Sequence, residues 1–127
     1  MGHRAILAIE NRDLSDAIAR AIKSMNISYD VVNDGIQAIN SFDKNEYDFL
    51  IVDEKISRLN LKIVINNYKD KGNNKVIMLT FNSDKLNRMK SEYGCDEIIS
   101  RPFTNDDFIN VVNKVITELD ERSTTND

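Results

Sequence analysis

The sequence predicts a single α/β domain built on a doubly wound parallel sheet. Five short apolar runs alternate with helical patterns along the chain, and the connections between them are short. The third and fourth runs are almost continuously apolar, which is typical of parallel strands covered by helices on both faces. An isolated run of this kind also fits a buried helix segment, so the regular alternation is what favours the sheet.

The five predicted strands are the apolar runs themselves. They are AILAI (5–9), SYDVV (28–32), FLIV (49–52), KVIMLT (75–80) and EIIS (97–100). In a doubly wound sheet the functional site lies beyond the carboxyl ends of the strands, near the point where the strand order reverses. The residues that follow these runs are therefore the candidates for function.

The first two predicted helices have clear apolar faces and polar starts. Asp13 is the predicted N-cap of the first helix, and Asp34–Gly35 opens the second. The apolar positions of the first helix recur at steps of three and four: Leu14, Ala17, Ile18, Ala21, Ile22 and Met25. Those of the second helix are Ala38, Ile39 and Phe42.

The last three predicted helices are bounded by turn and capping residues. The third lies within residues 59–71, the fourth runs from Ser83–Asp84 to the C-cap signal at Tyr93–Gly94, and Thr104 is the N-cap of the fifth. Their predicted core positions are Val64, Ile65 and Tyr68; Leu86 and Met89; and Phe108, Val112, Val115 and Leu119.

Length and composition limit the class of protein. A chain of 127 residues fits one domain, predicted over residues 1–122, and the polar segment 123–127 is predicted to be a disordered tail. A net charge of -4 gives no indication of binding to nucleic acid or to an anionic membrane. No apolar run approaches the roughly 18 residues of a membrane span, so a cytoplasmic location is expected. Cys95 is the lone cysteine, which excludes a disulfide framework.

Polar residues stand where four of the predicted strands end. Glu10–Asn11 follow the first strand, Asp53 the third, Thr80 closes the fourth, and Arg101–Pro102 follow the fifth. Carboxylate and amide oxygens can hold Mg²⁺, and a carboxylate beside such a cation can attack phosphorus. A hydroxyl group and a guanidinium group could then bind the phosphoryl oxygens.

Each of these residues also has an ordinary structural interpretation. Aspartate after a strand often forms a turn, Thr80 is a β-branched strand residue, and Arg101 could simply pair with the carboxylates. No catalytic triad is assembled, because the single histidine, His3, is near the terminus. Only the joint placement at one edge of the sheet favours a functional site.

The segments AILAIEN, YDFLIVDEK, VIMLT and GCDEIISRPF resemble, in this order and spacing, the receiver domain of bacterial response regulators. The resemblance covers roughly residues 4–120. It implies a flavodoxin-like fold with strand order 2-1-3-4-5 and a phosphorelay signalling role rather than an enzyme. Partners would be a histidine kinase or another signalling protein, and the oligomeric state stays open.

The resemblance also implies roles for individual residues. Asp53 matches the phosphoacceptor, and Glu10, Asn11 and the backbone carbonyl of Lys55 match the Mg²⁺ ligands together with Asp53 itself. Thr80 matches the switch hydroxyl. These assignments place the predicted reaction at one rim of the sheet.

The fifth strand and the loop after it supply further matches. Arg101 takes the place of a phosphoryl-binding lysine, and Pro102 is expected to follow a cis peptide bond. Ile98 stands at the position of the switch aromatic. The partner-binding face is expected to include Lys85, Arg88, Ile98 and Phe108, with a core position as the alternative for Phe108.

Three departures predict an altered phosphorylation site. Asn11 stands where a carboxylate should bind the metal directly, so Mg²⁺ binding is expected to be weak. Arg101 is larger than lysine and differently aimed, and Ile98 cannot act as a rotating aromatic. A bridge from Arg101 to Glu10 and Asp53 could then replace the metal.

Two functions follow from these residues. One is a pseudo-receiver with a degenerate site that acts through protein–protein contact. The alternative is a working phosphoacceptor that takes a phosphoryl group from a histidine kinase onto Asp53 with Mg²⁺. An unrelated α/β enzyme or a small-molecule binder is the remaining interpretation.

Overall fold

The structure is a computed structural model that describes residues 2–72, 74–81, 84 and 86–125. The side chains of residues 86, 87 and 122–125 are outside the description. The predicted start of the fourth helix at Ser83 and the predicted partner residue Lys85 therefore lie outside the described residues.

The described residues form five strands and five helices in strict alternation. They are β1 (Arg4–Ala8), α1 (Arg12–Ser24), β2 (Ser28–Val32), α2 (Gly35–Lys44), β3 (Phe49–Asp53), α3 (Leu61–Lys69), β4 (Lys75–Thr80), α4 (Leu86–Tyr93), β5 (Glu97–Ser100) and α5 (Asn105–Thr125). The parallel sheet has the order β2-β1-β3-β4-β5. The predicted doubly wound, flavodoxin-like fold is confirmed.

The register of the sheet brings the strand ends to one edge. Asp53 lies opposite Leu79 of β4, and Thr80 lies opposite Ser100 of β5. The order of the strands reverses between β1 and β3, which is where a site is expected in this class of sheet.

Two apolar clusters cover the two faces of the sheet. Side chains alternate across each strand, so Leu50 and Val52 of β3 face one cluster while Phe49 and Ile51 face the other. The first cluster includes apolar residues of α2, α3 and α4, and the second includes those of α1 and α5. All five residues of β3 are buried, because helices lie on both sides of this central strand.

The start of α1 differs from the prediction. Asn11, and not Asp13, is the N-cap, since its Oδ1 accepts a hydrogen bond of 3.0 Å from the backbone N–H of Leu14. Asn11 has the extended backbone that a cap requires (φ −66°, ψ 116°), whereas Asp13 is already in the first helical turn. Ala17 is exposed, because the buried stripe of α1 instead passes through Ser15.

The starts of α2 and α5 agree with the prediction. Asp34 caps α2 through a 2.8 Å bond from the N–H of Gln37. Thr104 and Asp107 cap α5 reciprocally, each side chain accepting from the backbone N–H of the other at 3.0–3.1 Å. These local signals are readable in the sequence because the capping side chain and the N–H that donates to it are only three residues apart.

The predicted core positions of the later helices are largely buried. They are Val64, Ile65, Tyr68, Met89, Phe108, Val112 and Val115, with Leu119 half-buried. The side chain of Leu86 is outside the description.

Gly94 follows α4 with a positive φ of 72°, the left-handed conformation that its predicted C-cap role requires. Helix α5 continues to Thr125, so the boundary between the domain and the tail stays a prediction.

Candidate functional site

Asp53 and Arg101 form an almost fully buried ion pair at the carboxyl edge of the sheet. Arg101 Nη2 donates to Asp53 Oδ1 at 3.1 Å. The carboxylate side chain is 6% exposed and the arginine side chain 11%. Asp53 ends the central strand and Arg101 follows β5, so the pair joins strands that are not adjacent in the sheet. Because both charges are withdrawn from water, each depends on the other for compensation.

The turn after β3 also binds the Asp53 carboxylate. The backbone N–H of Lys55 donates to Asp53 Oδ1 at 3.1 Å, and that of Ile56 donates to the Asp53 carbonyl at 3.0 Å. The same carboxylate oxygen therefore accepts bonds from both the backbone and the guanidinium. Aspartate commonly stabilises a turn in this way.

Thr80 is buried, and its hydroxyl is bound by a residue that the sequence analysis did not select. The hydroxyl donates to Glu54 Oε1 at 2.7 Å, and the backbone N–H of Phe81 donates to the same oxygen at 3.0 Å. Glu54 thus links the end of β3 to the end of β4. Its signal in the sequence was its position directly after Asp53, at the same rim.

Phe81 is the second residue that the sequence analysis missed. Phe81 is 58% exposed, and its ring faces the guanidinium of Arg101, with 3.7 Å between Arg101 Cζ and the ring centroid. The ammonium of Lys55 lies 5.4 Å from the same centroid. A large apolar residue placed directly after Thr80 was the available signal.

Arg101 is held by its backbone as well as its side chain. Its backbone N–H donates to the Thr80 carbonyl at 2.6 Å, and the Arg101–Pro102 peptide bond is cis. The Nε atom of Arg101 is buried and has no hydrogen-bond partner among the described residues. The orientation of the guanidinium therefore depends on the Asp53 carboxylate and the Phe81 ring.

The residues expected to hold Mg²⁺ are not arranged as a metal site. Glu10 is exposed and has no hydrogen bond or ion pair within the described residues, so the bridge predicted from Arg101 reaches Asp53 but not Glu10. Asn11 Oδ1 is committed to the start of α1, and Asp53 is paired with Arg101. Across the described ranges, no group of three or more His, Cys, Asp or Glu residues could hold a metal ion. The donor set therefore does not fit a hard divalent cation in this arrangement.

The predicted partner face is brought together only in part. Phe108 takes the core position that was the alternative to the partner face, because it is 1% exposed and its ring stacks on that of Phe103. Ile98 is half-buried and packs against the cluster formed with α2, α3 and α4. Arg88 is exposed and lies 4.0 Å from Glu92, one turn further along α4.

Other reactive side chains lie away from the rim. Burial raises the pKa of the Cys95 thiol to about 11, so the thiol stays protonated at neutral pH and is a poor nucleophile. His3 lies before β1, at the opposite edge of the sheet, where Nε2 is 3.0 Å from Asp120 Oδ1. In the part of the chain that is described, no helix is long and apolar enough to cross a membrane.

The fold resembles solved receiver domains over almost the whole chain. The receiver domain of sensor histidine kinase PA1611 from Pseudomonas aeruginosa, crystallised with magnesium in its active-site cleft, has a TM-score of 0.81 and 21% identity. The match covers 92% of this chain and 99% of that domain. The chemotaxis response regulator CheY4 of Vibrio cholerae has a TM-score of 0.80 and 13% identity, covering 91% and 99% of the two chains.

The fold is that of a receiver domain. A curated relative of this receiver-fold chain is the transcriptional regulatory protein CutR of Streptomyces coelicolor and Streptomyces lividans, which is 28% identical over 107 residues. That match covers 82% of this chain and 49% of CutR, so the chain spans about half the length of this relative. No family model matches the sequence.

Proposed function

We propose that this receiver-fold chain is a two-component signalling domain with a degenerate phosphorylation site. It acts through contact with a histidine kinase or another signalling protein, and Asp53 is phosphorylated weakly or not at all. The observation that supports this most directly is the buried pair between Asp53 Oδ1 and Arg101 Nη2 at 3.1 Å. The pair neutralises the carboxylate with a cation of the chain itself.

The surroundings of the pair support the same function. A phosphoacceptor needs its carboxylate accessible to the donor and a metal ion to neutralise the transferred group. Here Asp53 is almost fully buried, Asn11 caps a helix, and the Thr80 hydroxyl is bound by Glu54. Each of these contacts would have to break before the rim could accept a phosphoryl group.

A working phosphoacceptor is the second candidate, and one observation favours it. Asp53, Thr80 and Arg101 converge on one rim of the sheet, as carboxylate, hydroxyl and cation must for phosphoryl transfer. The similar receiver domain of PA1611 holds a magnesium ion in its active-site cleft. In this alternative, Asp53 would attack phosphohistidine, and Thr80 and Arg101 would receive the phosphoryl oxygens.

The test is intact mass spectrometry after incubation with acetyl phosphate, with and without Mg²⁺. The unmodified chain and Asp53→Asn are expected to give the same spectrum, without a phosphoryl adduct. The double variant Asn11→Asp/Arg101→Lys restores the second acid and the lysine, and it is expected to form a Mg²⁺-dependent adduct. A Mg²⁺-dependent adduct on the unmodified chain that Asp53→Asn lacks would instead establish the phosphoacceptor.

A further inference from the structure

Phe81 is an exposed aromatic side chain with no place in either apolar cluster. It is the most exposed of the large apolar residues described, at 58%, ahead of Ile63 at 51%, Ile36 at 45% and Val31 at 43%. The two clusters that cover the sheet do not include it. Its ring instead faces the cations of Arg101 and Lys55 at the candidate site. This placement calls for an explanation other than core packing.

The guanidinium of Arg101 lies between the ring and the carboxylate. Cζ is 3.7 Å from the Phe81 centroid, while Nη2 is 3.1 Å from Asp53 Oδ1. A planar guanidinium can stack on a ring and donate to a carboxylate at the same time, which a lysine ammonium cannot do equally well. The Arg101 side chain is only 11% exposed, so the cation of this cation–π contact is largely withdrawn from water.

The backbone on both sides of this contact is anchored. Glu54 Oε1 accepts from the N–H of Phe81, and the Thr80 carbonyl accepts from the N–H of Arg101. Within the guanidinium, however, the buried Nε has no hydrogen-bond partner in the part of the chain that the structure describes. The ring and the carboxylate are therefore the two contacts that orient the charged group. Loss of the ring would leave the guanidinium with the carboxylate contact only.

We propose that Phe81 is a positioning residue that clamps Arg101 onto Asp53 and so makes the carboxylate unavailable to a divalent cation. Arg101 neutralises the carboxylate, and the ring of Phe81 maintains the pairing. Loss of the ring lets the guanidinium leave, and the Asp53 carboxylate, which still accepts from the N–H of Lys55, then lacks a cationic partner and can bind an external cation such as Mg²⁺. The inference rests on the proposed function only in taking the Asp53–Arg101 pair as the resting state of the site.

The test compares Mg²⁺ binding by isothermal titration calorimetry in variants of the full chain. Phe81→Leu keeps an apolar side chain but removes the aromatic face, and Phe81→Tyr keeps the face. The clamp predicts that Phe81→Leu lowers the dissociation constant for Mg²⁺ by about fivefold or more, while Phe81→Tyr leaves it unchanged. Asp53→Asn in the Phe81→Leu background should abolish the gain. Phe103→Leu alters an aromatic residue in the loop that carries Arg101, but its ring packs on Phe108. This control should leave the dissociation constant for Mg²⁺ unchanged.

A second measurement follows Arg101 itself and does not depend on phosphorylation. The side-chain NMR signals of Arg101 should carry a ring-current shift in the unmodified chain and in Phe81→Tyr, and lose it in Phe81→Leu. Unchanged Mg²⁺ affinity in Phe81→Leu, binding undetectable in all variants, or equal behaviour of Phe81→Tyr and Phe81→Leu would each overturn the clamp. A phosphoryl adduct on the unmodified chain would contradict the proposed function but leave both of these measurements to decide the clamp.

Discussion

The side chain of Asn11 is committed to the start of α1. Its Oδ1 accepts from the N–H of Leu14, and this contact satisfies one of the backbone donors that a helix leaves free at its first turn. An amide oxygen used as a cap is less available as a metal ligand. One side chain thus explains both the stable start of α1 and the poor donor set for Mg²⁺.

Asn11→Ala is expected to lower the free energy of unfolding by about 1 kcal/mol, because the cap is lost. Asn11→Ser is the matched control, since serine caps helices as well as asparagine does, and it should stay within a few tenths of a kcal/mol of the unmodified chain. Urea unfolding followed by circular dichroism measures both. A larger loss in Asp13→Ala than in Asn11→Ala would show that Asp13 is the cap after all.

The site residues that could be predicted from the sequence are those with a signal in their immediate neighbours. Asp53, Thr80 and Arg101 could be selected because each stands directly at the end of an apolar run. Glu54 and Phe81 could not be selected with the same certainty. Their contacts, to Thr80 and to Arg101, join separate strands, and nothing in the local pattern specifies them.

The loop after β3 packs tightly against the first residue of α2. Gly35 donates its N–H to the Ser57 carbonyl at 2.9 Å, and a Cβ at Gly35 would lie 2.8 Å from Leu59 Cβ and 3.0 Å from Val64 Cγ2. Arg58, whose φ is +72°, lies in the same loop, and its Nε is 3.7 Å from Asp34. The absence of a side chain at Gly35 lets this loop approach α2.

Gly35→Ala is expected to destabilise the fold by about 1–3 kcal/mol, because the new methyl group overlaps Leu59 and Val64. In a double-mutant cycle measured by urea unfolding, Val64→Ala removes the Cγ2 atom that the new methyl group overlaps, so it should relieve part of this cost and give a favourable coupling energy.

Gly94→Ala is the control for this cycle. It should cost about 1–2 kcal/mol through its positive φ of 72° alone, since no atom lies within 4 Å of the added Cβ. It should therefore show no coupling to Val64→Ala. Equal coupling of Val64→Ala to both glycine variants would contradict the close approach at Gly35.

The whole molecule is a single sheet with an apolar cluster on each face. The strands are shared by both clusters, because alternate residues of β1, β3 and β4 face opposite sides. If one cluster loses its packing, the strands that also carry the other cluster lose the cover of one face. The two layers should therefore unfold together.

Ile22→Val in α1 and Ile65→Val in α3 test this cooperativity, since both residues are fully buried and belong to different clusters. Each is expected to cost about 1 kcal/mol, and the double variant should equal the sum within about 0.5 kcal/mol. Urea unfolding followed by circular dichroism and tyrosine fluorescence should give one coincident transition with an unchanged slope. Two separate transitions in the double variant would show that the layers unfold independently.

The sequence by itself determined the parallel sheet, the order of its elements and the chemical types at its rim. Apolar periodicity and capping residues act over a few neighbours, so they are visible in a linear chain, as at Asp34 and Thr104. The sequence suggested a bridge from Arg101 to Glu10 and Asp53, and the tertiary structure decided that it reaches Asp53 and not Glu10. Only the tertiary structure joined Glu54 to Thr80 and placed Phe81 over Arg101. These contacts depend on strand register and on side-chain directions at distances of a few ångströms, which residues up to 48 positions apart reach only in the folded chain.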